Sequence, residues 1–312
     1  MKPEIHLPLV SVVVICYNSS KTIVETLNSI KAQTYQNIEL IVSDDCSPDN
    51  STIEIIQKWL NANGSRFVHA ELVTTDRNTG VAGNINRGVA HSHGEWIKSI
   101  AGDDILIQTA IEAYVEYAMG NPEKVRMCVS DVECFSENGS VSPSLRQQYE
   151  WLFEKEREEY AEQWRRVCCE LVFVGPTFFY SRELFDEVGG FMTKYGCAEE
   201  WPFVYMVLKN GNRIFAVNKK LVKYRVSETS LSAVSKGTEL RNPRLFRSIY
   251  EFFTDYPLKS LLQEHRYMEA WHYFLFYNSK MHLYASNGSW WARMLDRYAK
   301  YLSLWAYAKR LK

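Results

Sequence analysis

The chain has 312 residues, of which 46% are hydrophobic and 23% are charged. This composition is typical of a globular protein with a sizeable core, and the net charge of −1 excludes a globally basic nucleic-acid-binding protein. The seven cysteines have no metal-binding spacing, which indicates reduced thiols. Residues 1–8 lack the apolar stretch of a signal peptide, and no apolar run approaches the roughly 18 residues that span a bilayer. We therefore expect a cytoplasmic protein.

The first part of the chain alternates apolar strands with amphipathic helices. Val10–Cys16 is a β-branched run, typical of a strand that is buried on both faces. Further strands are predicted at residues 38–42, 67–73 and 96–100. Helical spacing follows each strand, at residues 23–30, 53–60, 85–90 and 107–117, and residues 78–83 read as a polar loop. This alternation predicts a mostly parallel sheet with right-handed crossovers.

Three carboxylates follow predicted strands, at Asp45, Asp103 and Asp104. Because the carboxyl ends of parallel strands meet at one edge of a sheet, we expect these acids to gather there. The sequence lacks the phosphate-binding patterns GxxxxGK[ST] and GxGxxG, so a bound nucleotide would need side chains and a metal ion. Adjacent carboxylates suit Mg²⁺, which takes one or two of them together with phosphate oxygens. The alternative for the adjacent pair is an Asp-rich turn.

Several motifs occur in an order that resembles the family 2 glycosyltransferases of the GT-A fold. They are SVVVICYN, QTYQNIELIVSDDCSPDNS, NTGVAGNINRG and GEWIKSIAGDD, followed more weakly by VGPTFFYSRELFDEVGGF, AEEWPF and LVKYRVSETSLS. The resemblance implies an α/β GT-A domain at residues 1–235, with a nucleotide-sugar half at 8–120 and an acceptor half at 121–235. Residues 236–312 would then form a helical C-terminal extension.

The resemblance implies roles for residues in the nucleotide-sugar half. Tyr17 would stack on the donor's base, with Asn18 beside it, and Asp45 would accept a hydrogen bond from a ring N–H. Relatives carry an arginine where this chain has Ile85-Asn86, so Asn84 and Asn86 are the nearest polar substitutes for a base contact.

The acidic pair is the implied metal site. Here the sequence has Gly-Asp-Asp in place of the more usual Asp-x-Asp. Asp104 would bind Mn²⁺ or Mg²⁺, while Asp103 would contact the ribose and is the second candidate metal ligand.

The acceptor half carries the implied general base, Glu200. Relatives have Glu-Asp at this point, so the base here is one methylene longer. Pro202 predicts that Glu200 lies at a helix N-terminus, where the helix dipole favours an ionised base, and that Trp201 lies outside the helical conformation. Glu199, Trp201 and Thr177 are the remaining residues expected on the acceptor side.

The expected function is that of an inverting, metal-dependent hexosyltransferase. It would move a sugar from a nucleotide-sugar, for which we expect UDP, to a hydroxyl of a saccharide or lipid-linked saccharide. Bacterial polysaccharide, O-antigen or capsule assembly would use such a step. The alternative is a non-catalytic nucleotide-sugar-binding subunit, which the departures at Ile85, Glu200 and Ser227 favour. A processive synthase is disfavoured because the sequence lacks a Gln-x-x-Arg-Trp motif and membrane spans, and a sugar nucleotidyltransferase because it lacks an N-terminal Gly-rich loop.

The C-terminal extension differs in charge from the rest of the chain. Residues 241–312 hold twelve Lys/Arg, five Asp/Glu and 18 of the 43 aromatic residues. An apolar stripe with basic neighbours recurs at helical spacing, formed by Ala292, Leu295, Tyr298, Leu302 and Trp305 beside Arg293, Arg297, Lys300, Lys309 and Arg310. Such a helix suits the surface of an anionic membrane. A cap packed on the catalytic domain and a homodimer contact are equally consistent with the pattern.

Overall fold

The computed structural model describes residues 7–49, 51–120, 125–136, 159–171, 173–226 and 242–308, with side chains up to residue 303. Within these residues the strands form one sheet of eight, in the order β3-β2-β1-β4-β7-β6-β8-β5. Their bounds are β1 Val10–Cys16, β2 Ile38–Asp44, β3 His69–Val73, β4 Trp96–Ala101, β5 Ile105–Leu106, β6 Met127–Phe135, β7 Phe179–Ser181 and β8 Phe215–Arg225.

The sheet is mixed. Strands β3, β2, β1 and β4 are mutually parallel, as predicted, whereas β7 is antiparallel to both β4 and β6. Strand β8 is parallel to β6 and antiparallel to the two-residue β5. Because β5 directly follows the acidic pair, its pairing with β8 brings the end of β8 to that pair.

Helices cover both faces of the sheet. Their bounds are α1 Ile23–Lys31, α2 Ser51–Asn63, α3 Gly80–Ala90, α4 Ala110–Met119, α5 Tyr160–Val167, α6 Arg182–Val188, α7 Glu200–Lys209, α8 Pro243–Asp255, α9 Pro257–Gln263, α10 Tyr267–Ala285 and α11 Trp290–Ala308. Helices α1, α2 and α4 bury their apolar sides in one core, and α3, α6 and α7 do so on the opposite face. Helices α8–α10 extend the second core, so the predicted C-terminal helices are present.

Two local predictions were wrong. Helix α3 begins at Gly80, inside the predicted polar loop, because the Asp45 carboxylate accepts hydrogen bonds from the N–H groups of Thr79 and Gly80. This acceptor comes from another part of the chain, so the local sequence does not reveal the helix start. Trp201 is helical although Pro202 follows it, because α7 begins at Glu200 and proline fits a first helical turn.

The predicted boundary at residues 235/236 lies outside the described residues and stays a prediction. Among the described helices, none combines the length and the apolar character needed to cross a bilayer.

Candidate active site

The site lies where β1, β2 and β4 end. Asp45 N donates to Cys16 O at 3.0 Å, and Gly102 N donates to Ile15 O at 2.9 Å, so the chain segments after the three strands start side by side. A Cβ at Gly102 would approach Cys16 Cβ at 3.1 Å, so glycine lets the segment after β4 lie against the end of β1. The predicted gathering of the strand-end acids is thereby confirmed.

Tyr17 presents an open aromatic ring at this edge. Its side chain is 47% exposed directly after β1, and the next residue, Asn18, has a positive φ of 54°. The backbone N–H of Asn18 donates to Ser47 Oγ at 2.8 Å, and that hydroxyl donates to Asp44 Oδ2. These bonds hold the turn after β1 on the turn after β2. The exposed ring fits the predicted stacking role, and the structure shows no direct role for the Asn18 side chain.

The Asp45 carboxylate is buried at this edge, where it is hydrogen-bonded to the start of α3. This carboxylate is 2% exposed and accepts from Thr79 N and Oγ1, Gly80 N and an Arg87 guanidinium nitrogen at 3.0 Å. These donors occupy both oxygens, whose acceptor capacity is about four hydrogen bonds. In this structure the Asp45 carboxylate caps α3, and its predicted hydrogen bond to a base stays a prediction.

Arg87 is a residue that the sequence analysis missed. Its guanidinium donates to Asn84 Oδ1 at 2.7 Å as well as to Asp45, and Asn84 Nδ2 donates to Cys16 O. Asn84 is thus buried with both ends of its amide hydrogen-bonded to the protein, and its predicted contact with the base stays a prediction. The signal was available: Asn84 and Arg87 are three residues apart and so share one face of a helix.

The acidic pair has a different environment. Asp104 is 1% exposed, and its Oδ1 accepts the backbone N–H of Arg225 at 2.9 Å. Its Oδ2 is buried and accepts no hydrogen bond from the residues that the structure describes. Burial and the neighbouring Asp103 raise the pKa of Asp104 well above the usual aspartate range, and burial also raises that of Asp103. The pair is consequently short of positive charge and of donors.

Arg225 closes the other side of the acidic pair. Its Nε donates to Asp103 O at 2.8 Å, its guanidinium pairs with Glu25, and it lies 4.5 Å over the Phe135 ring. The sequence analysis assigned Arg225 no role in the site, and the departure that it noted at Ser227 lies outside the described residues.

Glu200 lies at the first position of α7 and faces a tight turn. Its Oε1 accepts the backbone N–H of Gly175 at 2.7 Å, and a Cβ at residue 175 would overlap that oxygen. Burial is the main cause that raises the pKa of Glu200, followed by the charge of Glu199, and Asp104 adds to the effect. The expectation that the helix N-terminus keeps Glu200 readily ionised is not met, because burial dominates.

Glu199 precedes Glu200 and is also short of partners. Its Oε2 is buried and accepts no hydrogen bond within the described part of the chain, and burial raises its pKa. Two adjacent glutamates with raised pKa values are a typical feature of a functional site.

The other two residues predicted on the acceptor side do not face an opening. Trp201 is 1% exposed, donates from Nε1 to Val167 O at 2.8 Å, and packs against Phe252, so that prediction was wrong. The large, mostly apolar side chain of Trp201 packs in the core beneath α8. Thr177 is equally buried, and its hydroxyl donates to Val174 O. The turn Gly175–Thr177 borders the site, but the Thr177 side chain points inward.

Lys98 is a second residue that the sequence analysis missed. It is fully buried on β4, and its ammonium donates to Ser99 O at 2.7 Å and to Pro176 O. Burial lowers its pKa to about 7, against the opposing influence of Asp104. Lys98 and Glu200 therefore hold the same turn from two sides. A lysine within an otherwise buried strand is rare, and that was the missed signal.

The described residues contain no group of three or more His, Cys, Asp or Glu side chains arranged to hold a metal ion. The buried, unpartnered Oδ2 of Asp104 beside Asp103 nevertheless suits a divalent cation whose remaining ligands come from substrate phosphates and water.

Sheet order and the position of the acidic pair together define the class of this protein: it has the GT-A fold. Structural comparison supports this fold. The chain superposes on a solved structure of Staphylococcus aureus TarS residues 1–349 in complex with UDP-GlcNAc. The TM-score is 0.65 at 18% identity, covering 93% of this chain and 79% of the other. A second structure, a mannosyltransferase from Pyrobaculum calidifontis in complex with GDP-Man and Mn²⁺, gives a TM-score of 0.59 at 19% identity, with coverages of 96% and 81%.

The family follows from the sequence comparison. Residues 11–189 match the family model described as glycosyl transferase family 2, and the chain belongs to that family. It is 26% identical over 235 residues to the Escherichia coli UDP-Glc:alpha-D-GlcNAc-diphosphoundecaprenol beta-1,3-glucosyltransferase WfgD, covering 75% of this chain and 83% of WfgD. Two other curated glycosyltransferases match over shorter stretches, and the chain spans only 33% and 22% of their lengths. The resemblance noted in the sequence is thereby confirmed.

Proposed function

We propose that this chain is an inverting, metal-dependent glycosyltransferase that moves a sugar from a UDP-sugar to a saccharide hydroxyl. The observation that carries the proposal is the buried, unpartnered Oδ2 of Asp104 after β4, at the sheet edge that exposes Tyr17. Glu200 is tied to the same strand, because Glu200 and Lys98 of β4 both bond to the turn Gly175–Thr177. This arrangement offers a stacking surface, a charge for a cation and a base at one place. We propose a UDP-sugar because WfgD and TarS are both named or crystallised with one.

The donor would lie across the ends of β1 and β4. The Tyr17 ring stacks on the base, which an aromatic face does without demanding one particular base. Asp104, with Asp103 beside it, would hold Mn²⁺ or Mg²⁺. When bound, the cation supplies positive charge that stabilises the departing nucleoside diphosphate.

Glu200 acts as the general base of the transfer. Its Oε1 is fixed by the Gly175 N–H, and the raised pKa makes the ionised carboxylate a stronger proton acceptor. It takes the proton of the acceptor hydroxyl while that oxygen attacks the anomeric carbon from the face opposite the diphosphate. The sugar–phosphate bond breaks, the electron pair leaves with the diphosphate, and the configuration at the anomeric carbon inverts.

A saccharide acceptor on a lipid diphosphate fits this chain as it fits WfgD. We propose such an acceptor, and hence a role in surface-polysaccharide assembly at the cytoplasmic face of a membrane. The non-catalytic alternative rests on the departures at Ile85, Glu200 and Ser227, and donor binding without turnover would favour it.

The test is a donor panel of UDP-, GDP- and dTDP-sugars with Mn²⁺ or Mg²⁺. Calorimetry measures binding, and release of nucleoside diphosphate measures turnover. We expect one UDP-sugar to bind, to be hydrolysed slowly, and to be protected from hydrolysis by EDTA.

The Glu200→Gln variant tests the base. It should bind the donor as the wild type does and transfer its sugar about 10²–10⁴ times more slowly. Glu71→Gln, a carboxylate on β3, is the matched control and should be unaffected. Binding of no nucleotide-sugar by the wild type would overturn the assignment, and full transfer by Glu200→Gln would remove its role as base.

A further inference from the structure

Helix α11 does not bury its apolar face, as a helix that only caps a domain would do. The residues that it turns toward the protein are small or polar, namely Ala292, Asp296, Ala299 and Ser303. Asp296 pairs with Lys280 of α10 at 3.0 Å and accepts from Ser279. The contact between α10 and α11 is thus held by an ion pair and close-packed small residues rather than by large apolar side chains.

Its large apolar residues face outward instead. We call this surface the aromatic face of α11; it consists of Trp290, Trp291, Met294, Leu295, Tyr298 and Tyr301. Trp291 is 74% exposed and Tyr298 is 63% exposed. The sequence analysis left three roles open for a stripe that shares Leu295 and Tyr298 with this face, whereas Ala292 of that stripe is buried. The residues of the aromatic face do not pack on the catalytic domain within the part of the chain that the structure describes.

The basic residues of α11 lie along one border of the aromatic face. At about 100° per residue, the six apolar residues fall within an arc of about 140°, and the buried residues lie on the far side. Arg293 and Arg297 lie between the aromatic face and the buried residues, on the side where Trp290 ends the aromatic face. Both arginines are exposed. Lys300 follows on the same border and also contacts Asp296 at 3.2 Å.

We propose that the aromatic face of α11 docks on the surface of a bilayer that contains anionic lipid. Tryptophan and tyrosine favour the boundary between headgroups and acyl chains, and a basic border adds attraction to anionic headgroups. The segment 241–312 holds twelve basic and five acidic residues, a charge that suits an anionic surface and opposes a second copy of itself. This inference rests on the proposed function, since a lipid-linked acceptor is reached only at a membrane.

The experiment is sedimentation of the full chain with vesicles. One set is phosphatidylcholine alone and the other contains about 30% phosphatidylglycerol, at low and high salt. We expect binding to the anionic vesicles that weakens as salt rises. The variant Trp291→Ser/Tyr298→Ser should lower the vesicle partition coefficient about tenfold or more, because interfacial binding scales with buried apolar area. Arg293→Gln/Arg297→Gln should remove the preference for anionic vesicles.

The matched control is Val24→Ser/Val68→Ser, which removes two exposed apolar side chains from the catalytic domain. It should bind vesicles as the wild type does. Calorimetric donor binding of each variant is measured in parallel, so that failure of the proposed function shows as absent donor binding, independently of vesicle binding.

Two outcomes would overturn the proposal. One is a wild type that ignores both vesicle types. The other is a wild-type dimer, seen by sedimentation velocity, that Trp291→Ser/Tyr298→Ser dissociates while vesicle binding is absent. The aromatic face would then be a contact between copies of the chain.

Discussion

Two Asp-Asp pairs follow parallel strands of the same sheet, yet they have opposite environments. The pair at the end of β2, Asp44 and Asp45, is buried with hydrogen-bond donors around both carboxylates. In the pair after β4, Asp103 is partly exposed and Asp104 is buried, and Asp104 Oδ2 has no donor among the residues that the structure describes. Sequence alone presents these pairs as equivalent.

The difference shows how a structural acid is told from a ligand-binding acid. A buried carboxylate with a full set of donors stabilises the fold, because each charge-assisted hydrogen bond offsets part of the cost of burial. A buried carboxylate without donors costs free energy until a ligand supplies the missing charge. The first pair stabilises the turns after β1 and β2, and the second has the environment that the proposed cation would require.

The largest expected effect is that of Asp104→Asn on turnover. Without the carboxylate, we expect nucleoside diphosphate release to fall by about 10³ or more, since several kcal/mol of charge stabilisation at the leaving group are lost. Titration of the protein with Mn²⁺ in the presence of donor, followed by electron paramagnetic resonance, should show that this variant no longer holds the ion.

The same variant should be at least as stable as the wild type in EDTA. Burial raises the pKa of Asp104 in the folded state, so the folded state binds more protons than the unfolded state. The stability of the metal-free wild type is therefore lost as pH rises from the ordinary aspartate pKa toward the raised one. Asp104→Asn removes this loss. A large drop in its melting temperature at pH 7 would contradict the assignment of Asp104 as a ligand-binding acid.

The second prediction concerns Asp45 and the stability of the fold. Asp45→Asn replaces an acceptor oxygen by an amide that faces the donors at the start of α3, so we expect a loss of about 2–3 kcal/mol in the free energy of unfolding. Urea denaturation measures this loss. Asp76→Asn, at an exposed position nearby, is the control and should change stability by less than about 0.5 kcal/mol. A variant that keeps its stability but loses donor binding would restore the base contact that the family resemblance implies.

The sequence predicted what depends on local pattern. The parallel strands, the flanking helices and the position of Tyr17 follow from apolar periodicity, and the acids were placed correctly at one edge. What failed depends on contacts between distant segments: Asp45 caps a helix that begins 35 residues later, and Trp201 is drawn into the core by α8. The residues that adjoin Asp45 and Trp201 in the sequence do not indicate either contact.

Lys98 and Arg87 show that the same limit of sequence analysis applies to basic residues. Each is a cation near the site whose partners come from other elements, Pro176 for Lys98 and Asp45 for Arg87. Propensity and periodicity describe one element at a time, and the pairing of a buried charge is decided only when the elements pack. Two local signs could have been followed, the charged residue within a buried strand and the three-residue spacing of Asn84 and Arg87.

The smallest expected effect is a shift in the pH profile of transfer. Because the base must be ionised and its pKa is raised, kcat/KM should rise with pH through a limb that lies above the usual glutamate range. Burial remains in Glu199→Gln, but the like charge beside Glu200 is removed, so the limb should move to lower pH. The profile is measured with saturating metal at each pH, and Glu95→Gln, a carboxylate at an exposed position before β4, is the control. An unmoved limb in Glu199→Gln would mean that burial alone sets the titration of the base, and an acidic limb within the ordinary glutamate range in the wild type would mean that Glu200 is not the group that titrates.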